Sequence, residues 1–499
     1  MKIKFGTEGW RGIIADDFNF SNIRIVSQSI INYLNKNISK FDDRKIVIGY
    51  DNRFASELFA KVVSEVFINN RYKVILSNSA ITTPNLCYSV KKHNSIAGIM
   101  ITASHNPPQF NGLKIKAKYG GPIPDWVGKE IEKEIEKEIE KEIQNTVIVN
   151  KSETEPKEYL NMEDTISVQD LKNSYLDYIK LSIDLKLIEN SIKRNIVIDY
   201  MHGSSAGYIE QLILKNNLKN KFINKIIFIR KNRDPLFDGK NPEPIEKNLN
   251  ILIDTVTKTK SCVGIAFDGD GDRIGVVDDK GRYLPPHIVF PLLLLYLCKY
   301  RNRKGKVAQT ISLGYLSERI SKKYNLELEE TPVGFKYICE LILKQDILLG
   351  GEESGGYAIS KEVPDRDGLI AGLTILEMIA YTGKKLSVLV DELQKEFGKS
   401  YFYRIDLPLP EIIYDKNKFV DNISGAIPDK LLNLSIKNIK TYDGIKITLS
   451  DDSWILMRPS GTEPVLRIYS ETSSKKNTYL LIDTFKKLIE KIMKGEKQI

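Results

Sequence analysis

Cysteine is scarce, four in 499 residues, and Cys87, Cys262, Cys298 and Cys339 stand far apart with no C-x-x-C among them. That pattern offers neither a disulfide framework nor a cysteine zinc site; it fits buried thiols in a reducing, cytoplasmic setting. Histidine is as rare, also four, with no H-E-x-x-H pair and so no metalloprotease helix. The longest apolar run, Ile288 to Cys298, falls short of the ~20 residues needed to span a bilayer. With Pro291 inside it, that run reads as a buried helix. The opening segment, Met-Lys-Ile-Lys-Phe-Gly-Thr-Glu-Gly-Trp, has no apolar core, so no secretion signal is expected. There is no G-x-x-x-x-G-K-[ST], which excludes a P-loop NTPase. No G-x-G-x-x-G follows a strand, which argues against a dinucleotide site. The absence of G-x-S-x-G argues against a hydrolase triad.

What is present describes a soluble, multi-domain chain. The residues are 42% hydrophobic and 28% charged, with 74 basic against 65 acidic side chains, a net +9. Such a mild positive balance suits a small anionic substrate and requires neither nucleic acid nor a membrane as partner. At ~150 residues per domain the length implies about three domains, or four small ones.

Short apolar runs alternate with helical patterns. Lys45 to Tyr50, Tyr72 to Leu76 and Ser95 to Thr102 read as strands, with helices Ala55 to Asn69 and Pro84 to Lys92 between them. A second series has strands at Asn195 to Met201, Lys225 to Arg230 and Cys262 to Phe267, with a helix from Pro244 to Thr257. A third has strands at Lys306 to Ile311, Leu326 to Glu329 and Ile347 to Gly350. Such alternation predicts βαβ units with largely parallel sheets. Beyond residue 400 closely spaced strands (Tyr401 to Leu407, Ile436 to Thr441, Ile445 to Leu449, Ser453 to Met457, Val465 to Ser470) precede one helix, Tyr479 to Met493. Asp443-Gly444 marks a hairpin there, and the region reads as a small α+β domain. Lys129 to Gln144 repeats KEIE, with four Lys and seven Glu. Isoleucine at every fourth position drifts about 40° per step, giving one oily stripe. With Glu-to-Lys pairs three apart, it reads as a solvated surface helix without chemistry; a partner-binding coiled coil is the alternative.

Three polar, Gly-rich loops each follow the third strand of a series, where open α/β sheets bind ligands. The economical reading is that all three meet on one cleft. In the first, Ala103 to Gly112, Ser104 is flanked by His105 and Asn106, with Lys114 ten residues on. A plain turn is the alternative, and His105, being adjacent, is expected to point away from Ser104. The second, Asp268-Gly269-Asp270-Gly271-Asp272-Arg273, sets three carboxylates two apart on a glycine frame. Oxygen ligands of that kind suit Mg²⁺ or Ca²⁺; an acidic hairpin is the alternative. The third, Gly350 to Gly356, carries Glu352 and Ser354, which suit sugar hydroxyls, or Ser354 caps a helix. A fourth loop, Arg458-Pro459-Ser460-Gly461-Thr462-Glu463-Pro464 with Arg467, pairs guanidinium forks with an anion nest. Two weaker signals are the loop Gly6 to Gly12, bearing Arg11, and Thr331-Pro332-Val333-Gly334-Phe335-Lys336. Jointly these describe metal-assisted phosphoryl transfer on a phosphorylated polyol.

The segments TASHNPPQFNGLKI, FDGDGDRIGVVD, GGEESGG and RPSGTEPVLRIYSE occur in this order. By them the chain resembles the α-D-phosphohexomutase superfamily, the phosphoglucomutase/phosphomannomutase group, over nearly its whole length. The resemblance implies three related α/β domains with mixed, largely parallel sheets and a C-terminal α+β domain like the TATA-binding protein, arranged around a central cleft. On this sequence those domains are expected at 1–165, 166–280, 281–398 and 399–499. It further implies that Ser104 is carried as phosphoserine, and that its phosphate with Asp268, Asp270 and Asp272 holds Mg²⁺. Arg11, His105, Lys114 and Arg273 would line that site, with Lys114 favoured over His105 and Arg11 as proton relay. Phe335, Lys336, Glu352 and Ser354 would meet the sugar. Arg458, Ser460, Gly461, Thr462 and Arg467 would hold its phosphate.

The activity implied is interconversion of glucose 1-phosphate and glucose 6-phosphate through a bound hexose 1,6-bisphosphate. Mannose, glucosamine or pentose phosphates are the same-fold alternatives, and a non-catalytic sugar-phosphate binder is the alternative from another class. GEES resembles the glucose-directed branch, and Gly356 stands where mannose-accepting members often carry His. A cytoplasmic monomer or weak homodimer is expected, with sugar phosphates as its only partners.

Overall fold

The computed structural model describes residues 3–5, 9–37, 43–148, 166–359, 362–413, 415–461 and 464–493. The chain divides into two compact units. One comprises 1–283, 342–344 and 356–385; the other comprises 284–341, 345–355 and 386–499.

One strand order recurs three times. In each case the first strand of a series lies between the second and the third, all parallel. Lys45–Tyr50 lies between Lys73–Ser77 and Ala97–Ile101. Ile196–Asp199 lies between Ile226–Ile229 and Val263–Phe267. Lys306–Thr310 lies between Leu328–Thr331 and Ile347–Gly351. The chain therefore leaves the central strand to one side and returns on the other, which opens a crevice at the strands' C-terminal ends. Antiparallel strands extend the first two sheets: Phe110–Ala117 beside Ala97–Ile101, and Ile274–Asp278 beside Val263–Phe267. All residues of the strands Ala97–Ile101 and Val263–Phe267 are buried, as expected of sheets covered on both faces.

The fourth sheet is antiparallel, running Tyr401–Pro408, Val465–Thr472, Trp454–Pro459, Ile445–Leu449, Leu434–Lys440 and the short Lys430–Leu431. The helix Lys475–Met493 packs Leu481, Ile482, Phe485 and Ile489 into the same core. The apolar run containing Pro291 is a buried helix, Pro286–Leu295, continued by a π turn over Tyr296–Tyr300. All four cysteines are buried, and none is in a disulfide. Among the described residues no helix is long and apolar enough to cross a membrane.

Several expectations need correction. The first loop is shorter than Ala103 to Gly112, because Phe110–Ala117 is a strand. The helix expected from Pro244 starts only at Asn250 and is preceded by a 3-10 turn over Glu246–Asn248. The unexpected helix Gly368–Thr382 is capped by Asp367, which accepts from the Ile370 N–H, and ends at Gly383 with φ 66°, a left-handed stop.

The KEIE helix, Asp125–Ile148, is not a bare surface element. Val127, Ile131 and Ile135 belong to the first domain's core, with Ile139 packed against it. Glu134 pairs with Lys36, and Glu138 accepts from Asn32, both residues of the helix Phe20–Asn37. The expected pairs three apart are present between Lys133 and Glu130, Lys137 and Glu134, and Lys141 and Glu138. Ile135→Ala should therefore destabilise the first domain by about 3 kcal/mol, whereas Ile143→Ala, at a 61% exposed position, should be silent; urea unfolding of the two variants checks this.

Candidate active site

The serine loop is organised by a buried arginine. Arg53 has no exposed surface. Its Nη1 donates to the carbonyls of Pro107 and Phe110, both at 2.9 Å, and its Nη2 to those of Ser104 (2.7 Å) and Asn106 (2.6 Å). Asp51 balances the charge, with 3.4 Å between Arg53 Nε and Asp51 Oδ2. The same carboxylate accepts from Thr102 Oγ1 at 2.5 Å, and Thr102 Oγ1 in turn accepts from the Ser104 N–H at 2.8 Å. Ser104 is held with φ 52°, a left-handed conformation costly for a residue with a Cβ.

That backbone turn overrides the expected divergence of His105, whose Nδ1 lies 3.4 Å from Ser104 Oγ. Desolvation, together with the Arg273 and Arg11 cations, holds the His105 ring well below its ordinary pKa, so it is neutral. Arg11 sits at the exposed rim and donates to Asn106 Oδ1 at 2.6 Å.

The aspartate loop docks against this serine. Ser104 Oγ donates to Asp268 Oδ2 at 3.0 Å. Backbones approach so closely that a Cβ on Gly269 would lie 2.5 Å from the Ser104 carbonyl oxygen, and Gly271 has φ +72°; no other residue fits this frame. Asp268, Asp270 and Asp272 have no exposed surface, and one carboxylate oxygen of each lies within 4.8 Å of the others. Asp268 Oδ1 accepts the Asp272 and Arg273 N–H groups. Asp270 Oδ2 accepts Lys114 Nζ at 2.7 Å and Thr83 Oγ1 at 2.6 Å. Asp272 Oδ2 accepts Arg366 Nη2 at 2.9 Å. The other oxygens, Oδ1 of Asp270 and of Asp272, are buried without a hydrogen-bond partner.

Three buried carboxylates grouped this closely, two of them with an oxygen that accepts no hydrogen bond, fit a hard divalent cation. Burial, then the charges of Asp272 and Asp270, push the Asp268 carboxyl well up. Burial also opposes the charge of Asp270, but Lys114 overcomes it and holds that carboxyl well down.

A segment that the motifs did not single out completes the frame. Arg366 pairs with Asp272, Asp365 with Lys116 at 2.6 Å, and Asp367 accepts from Tyr175 Oη at 2.7 Å. Lys116, Asp365 and Asp272 have no exposed surface. A Cβ at Gly356 would lie 2.1 Å from Arg366 Cδ, so the arginine fills the space a side chain at 356 would take. Arg53 and Arg366 share one signal in the sequence: each stands in an acidic context, Asp51-Asn52-Arg53 and Asp365-Arg366-Asp367, suited to paired burial.

In the second unit, Glu352 is 5% exposed and accepts from Ser354 Oγ at 3.4 Å; Ser354 caps no helix, its segment being a turn. Glu353 turns to Ser312 and Thr310, accepting at 2.5 and 3.2 Å. Arg458 and Arg467 stand directly opposite each other on neighbouring antiparallel strands. Like charges so placed repel, and an anion relieves that repulsion. Burial works against the charge of Arg458, yet Asp443, Tyr469 and Glu353 raise its pKa. Ser460 is buried, its N–H held by the Val465 carbonyl at 2.9 Å, and Gly461 is exposed. Thr462 lies outside the described residues. Phe335 and Lys336 are 2% and 8% exposed at the start of the helix Phe335–Lys344.

Such a fold with such a site defines a class, the phosphate-handling enzymes built from three α/β domains and a curled antiparallel sheet. All four phosphoglucomutase/phosphomannomutase domain models match: α/β/α domain I at 2–142, II at 173–281, III at 285–397 and the C-terminal domain at 417–487. The probable phosphoglucosamine mutase of Pyrococcus abyssi is 32% identical over 98% of both chains. The phosphoglucosamine/phosphogalactosamine mutase of Sulfurisphaera tokodaii is 30% identical over 97% of this chain and 99% of that one. A crystal structure from Thermus thermophilus, named for a phosphomannomutase, superimposes with a TM-score of 0.81 at 30% identity, covering 98% and 99% of the two chains. The chain belongs to the phosphoglucomutase/phosphomannomutase family. It is a phosphohexomutase, an isomerase that moves phosphate within its substrate.

Replacing Arg53 by Met should cost about 3–5 kcal/mol, because it strands Asp51 and a ring of carbonyls. Amide exchange in residues 102–109 should rise together with the loss of stability in denaturant melts.

Proposed function

We propose that the protein interconverts the 1- and 6-phosphates of glucosamine, with Ser104 cycling between serine and phosphoserine. The observation that carries the chemistry is Ser104 Oγ at 3.0 Å from Asp268 Oδ2, beside two buried carboxylate oxygens that accept no hydrogen bond. The choice of sugar is supported by the naming of the Pyrococcus and Sulfurisphaera relatives. It replaces glucose, favoured by the motif pattern alone, as the first reading. Glucose remains the second reading, supported by the Glu352-Glu353-Ser354 sequence and by Gly356. With Arg366 filling the space at Gly356, this chain has no room for the histidine of many mannose-accepting relatives.

In this reading the phosphoryl group leaves Ser104 Oγ for the free hydroxyl of a sugar monophosphate. The P–O bond to serine breaks and one to the sugar forms. The resulting 1,6-bisphosphate reorients, and its other phosphoryl group returns to Ser104. The attacking hydroxyl's proton passes by way of His105, whose Nδ1 lies 3.4 Å from the serine oxygen, to the departing Ser104 Oγ, while Lys114 is engaged by Asp270 and Asp272.

Asp268, Asp270 and Asp272, with the serine's phosphate, would hold Mg²⁺, which neutralises charge on the transferring group when bound. Glu352 and Ser354 grip sugar hydroxyls. Arg458, Arg467, Ser460, Gly461 and Thr462 hold the phosphate that is not being transferred. Both half-reactions use the same groups, since the two phosphates exchange places.

Ser104→Ala should fold normally and lose nearly all turnover; retained activity would sink the covalent reading. Asp270→Asn should weaken Mg²⁺ binding in calorimetric titration, and an unchanged isotherm would remove it as a ligand. A panel of hexose and pentose 1-phosphates compared by kcat/KM decides the sugar: glucosamine 1-phosphate is expected first, and a clear lead for glucose 1-phosphate would select the second reading.

A further inference from the structure

Asp443 turns the hairpin between Leu434–Lys440 and Ile445–Leu449, and it is also a junction between two loops. It is 5% exposed. Its Oδ2 accepts the Val333 N–H at 2.9 Å and Arg458 Nε at 2.7 Å. One oxygen thus joins the loop 331–336 to the arginine assigned to phosphate. The neighbouring Gly444 makes this reach possible. With φ +87°, it lets the turn press on the strand carrying Arg458, so that a Cβ there would lie 2.3 Å from the Met457 oxygen and 2.9 Å from Arg458 Cα.

The same hairpin is fastened to the strand that feeds the loop. Tyr442 Oη and Lys440 Nζ donate to Glu330 Oε1 at 2.7 and 2.8 Å. Lys446 Nζ donates to Glu330 Oε2 at 3.0 Å and to the Ile311 carbonyl at 2.7 Å. Glu330 precedes the loop by one residue.

We propose that Asp443 is a positioning residue that couples the loop 331–336 to the phosphate grip of Arg458. This rests on the reading of Arg458 as a phosphate clamp. A guanidinium offers several N–H groups in one rigid plane. Fixing Nε on Asp443 sets the orientation of that plane and leaves the remaining donors for an oxyanion. The carboxylate also offsets the repulsion between Arg458 and Arg467 across the strands. A displacement of the loop moves the Val333 N–H, and with it the acceptor that orients Arg458. Sugar recognition and phosphate grip are therefore linked through one oxygen.

The test is a double-mutant cycle on the full chain with the best hexose 1-phosphate of the panel. Asp443→Asn should raise KM about tenfold while kcat changes less than about twofold, since the clamp holds ground and transition states alike. It should also shift the ratio of kcat/KM between glucosamine and glucose 1-phosphates. In an Arg458→Ala background the same substitution should raise KM no further. Asp443→Glu, which keeps the charge, should recover part of the loss, and its comparison with Asn separates positioning from misfolding. Equal effects of Asp443→Asn in both backgrounds, or an unchanged KM in the single variant, would overturn the coupling and leave the clamp standing. An unchanged KM in Arg458→Ala would overturn the clamp, and the coupling with it.

Discussion

Three aspartate side chains without solvent contact, converging within 4.8 Å, are the constraint around which the first unit is arranged. Buried like charges are tolerated only where each is compensated. Here Lys114 and Thr83 bond Asp270, Arg366 bonds Asp272, and backbone N–H groups with Ser104 bond Asp268. The donors come from separated stretches of chain, so the triad draws the serine loop, the strand Phe110–Ala117 and the segment around Arg366 to one place. One oxygen each of Asp270 and Asp272 stays unsatisfied. That uncompensated acceptor capacity is of the kind a divalent cation satisfies.

The serine side follows the same logic in neutral terms. A left-handed Ser104 is strained by itself, and Arg53 holds it by bonding four carbonyls from beneath the loop. A rigid backbone gives the hydroxyl a fixed bearing on Asp268, and positioning is most of what phosphoryl transfer asks of a protein. Arg53 and Arg366 are buried cations serving opposite needs, one collecting backbone carbonyls and the other a carboxylate.

In the second unit, opposed Arg458 and Arg467 concentrate positive charge with Asp443 and Glu353 as partial counterweights. The balance leaves a place for an anion without leaving the arginines unsupported. Glu353 also ties its own loop, Gly350 to Gly356, to Ser312 and Thr310.

Periodicity placed the strands Lys45–Tyr50 and Ile445–Leu449 at their observed bounds, because short apolar runs between turn residues carry their own signal. Motif and alternation together pointed to the family, the fold class and the triad, since those rest on local spacing; that the three aspartates are buried, and not an exposed acidic hairpin, is a tertiary fact. The KEIE stripe was legible as a stripe, but nothing local says that Ile131 and Ile135 face the helix Phe20–Asn37 and not water. The side chain of His105 returns to Ser104 across a left-handed turn whose carbonyls are bonded by an arginine 51 residues away. Arg366 and Asp443 lie 94 and 110 residues from the partners that give them meaning, Asp272 and Val333. Pairings at such separation are set by packing of whole domains, and a chain read in order contains the charges but not their meeting.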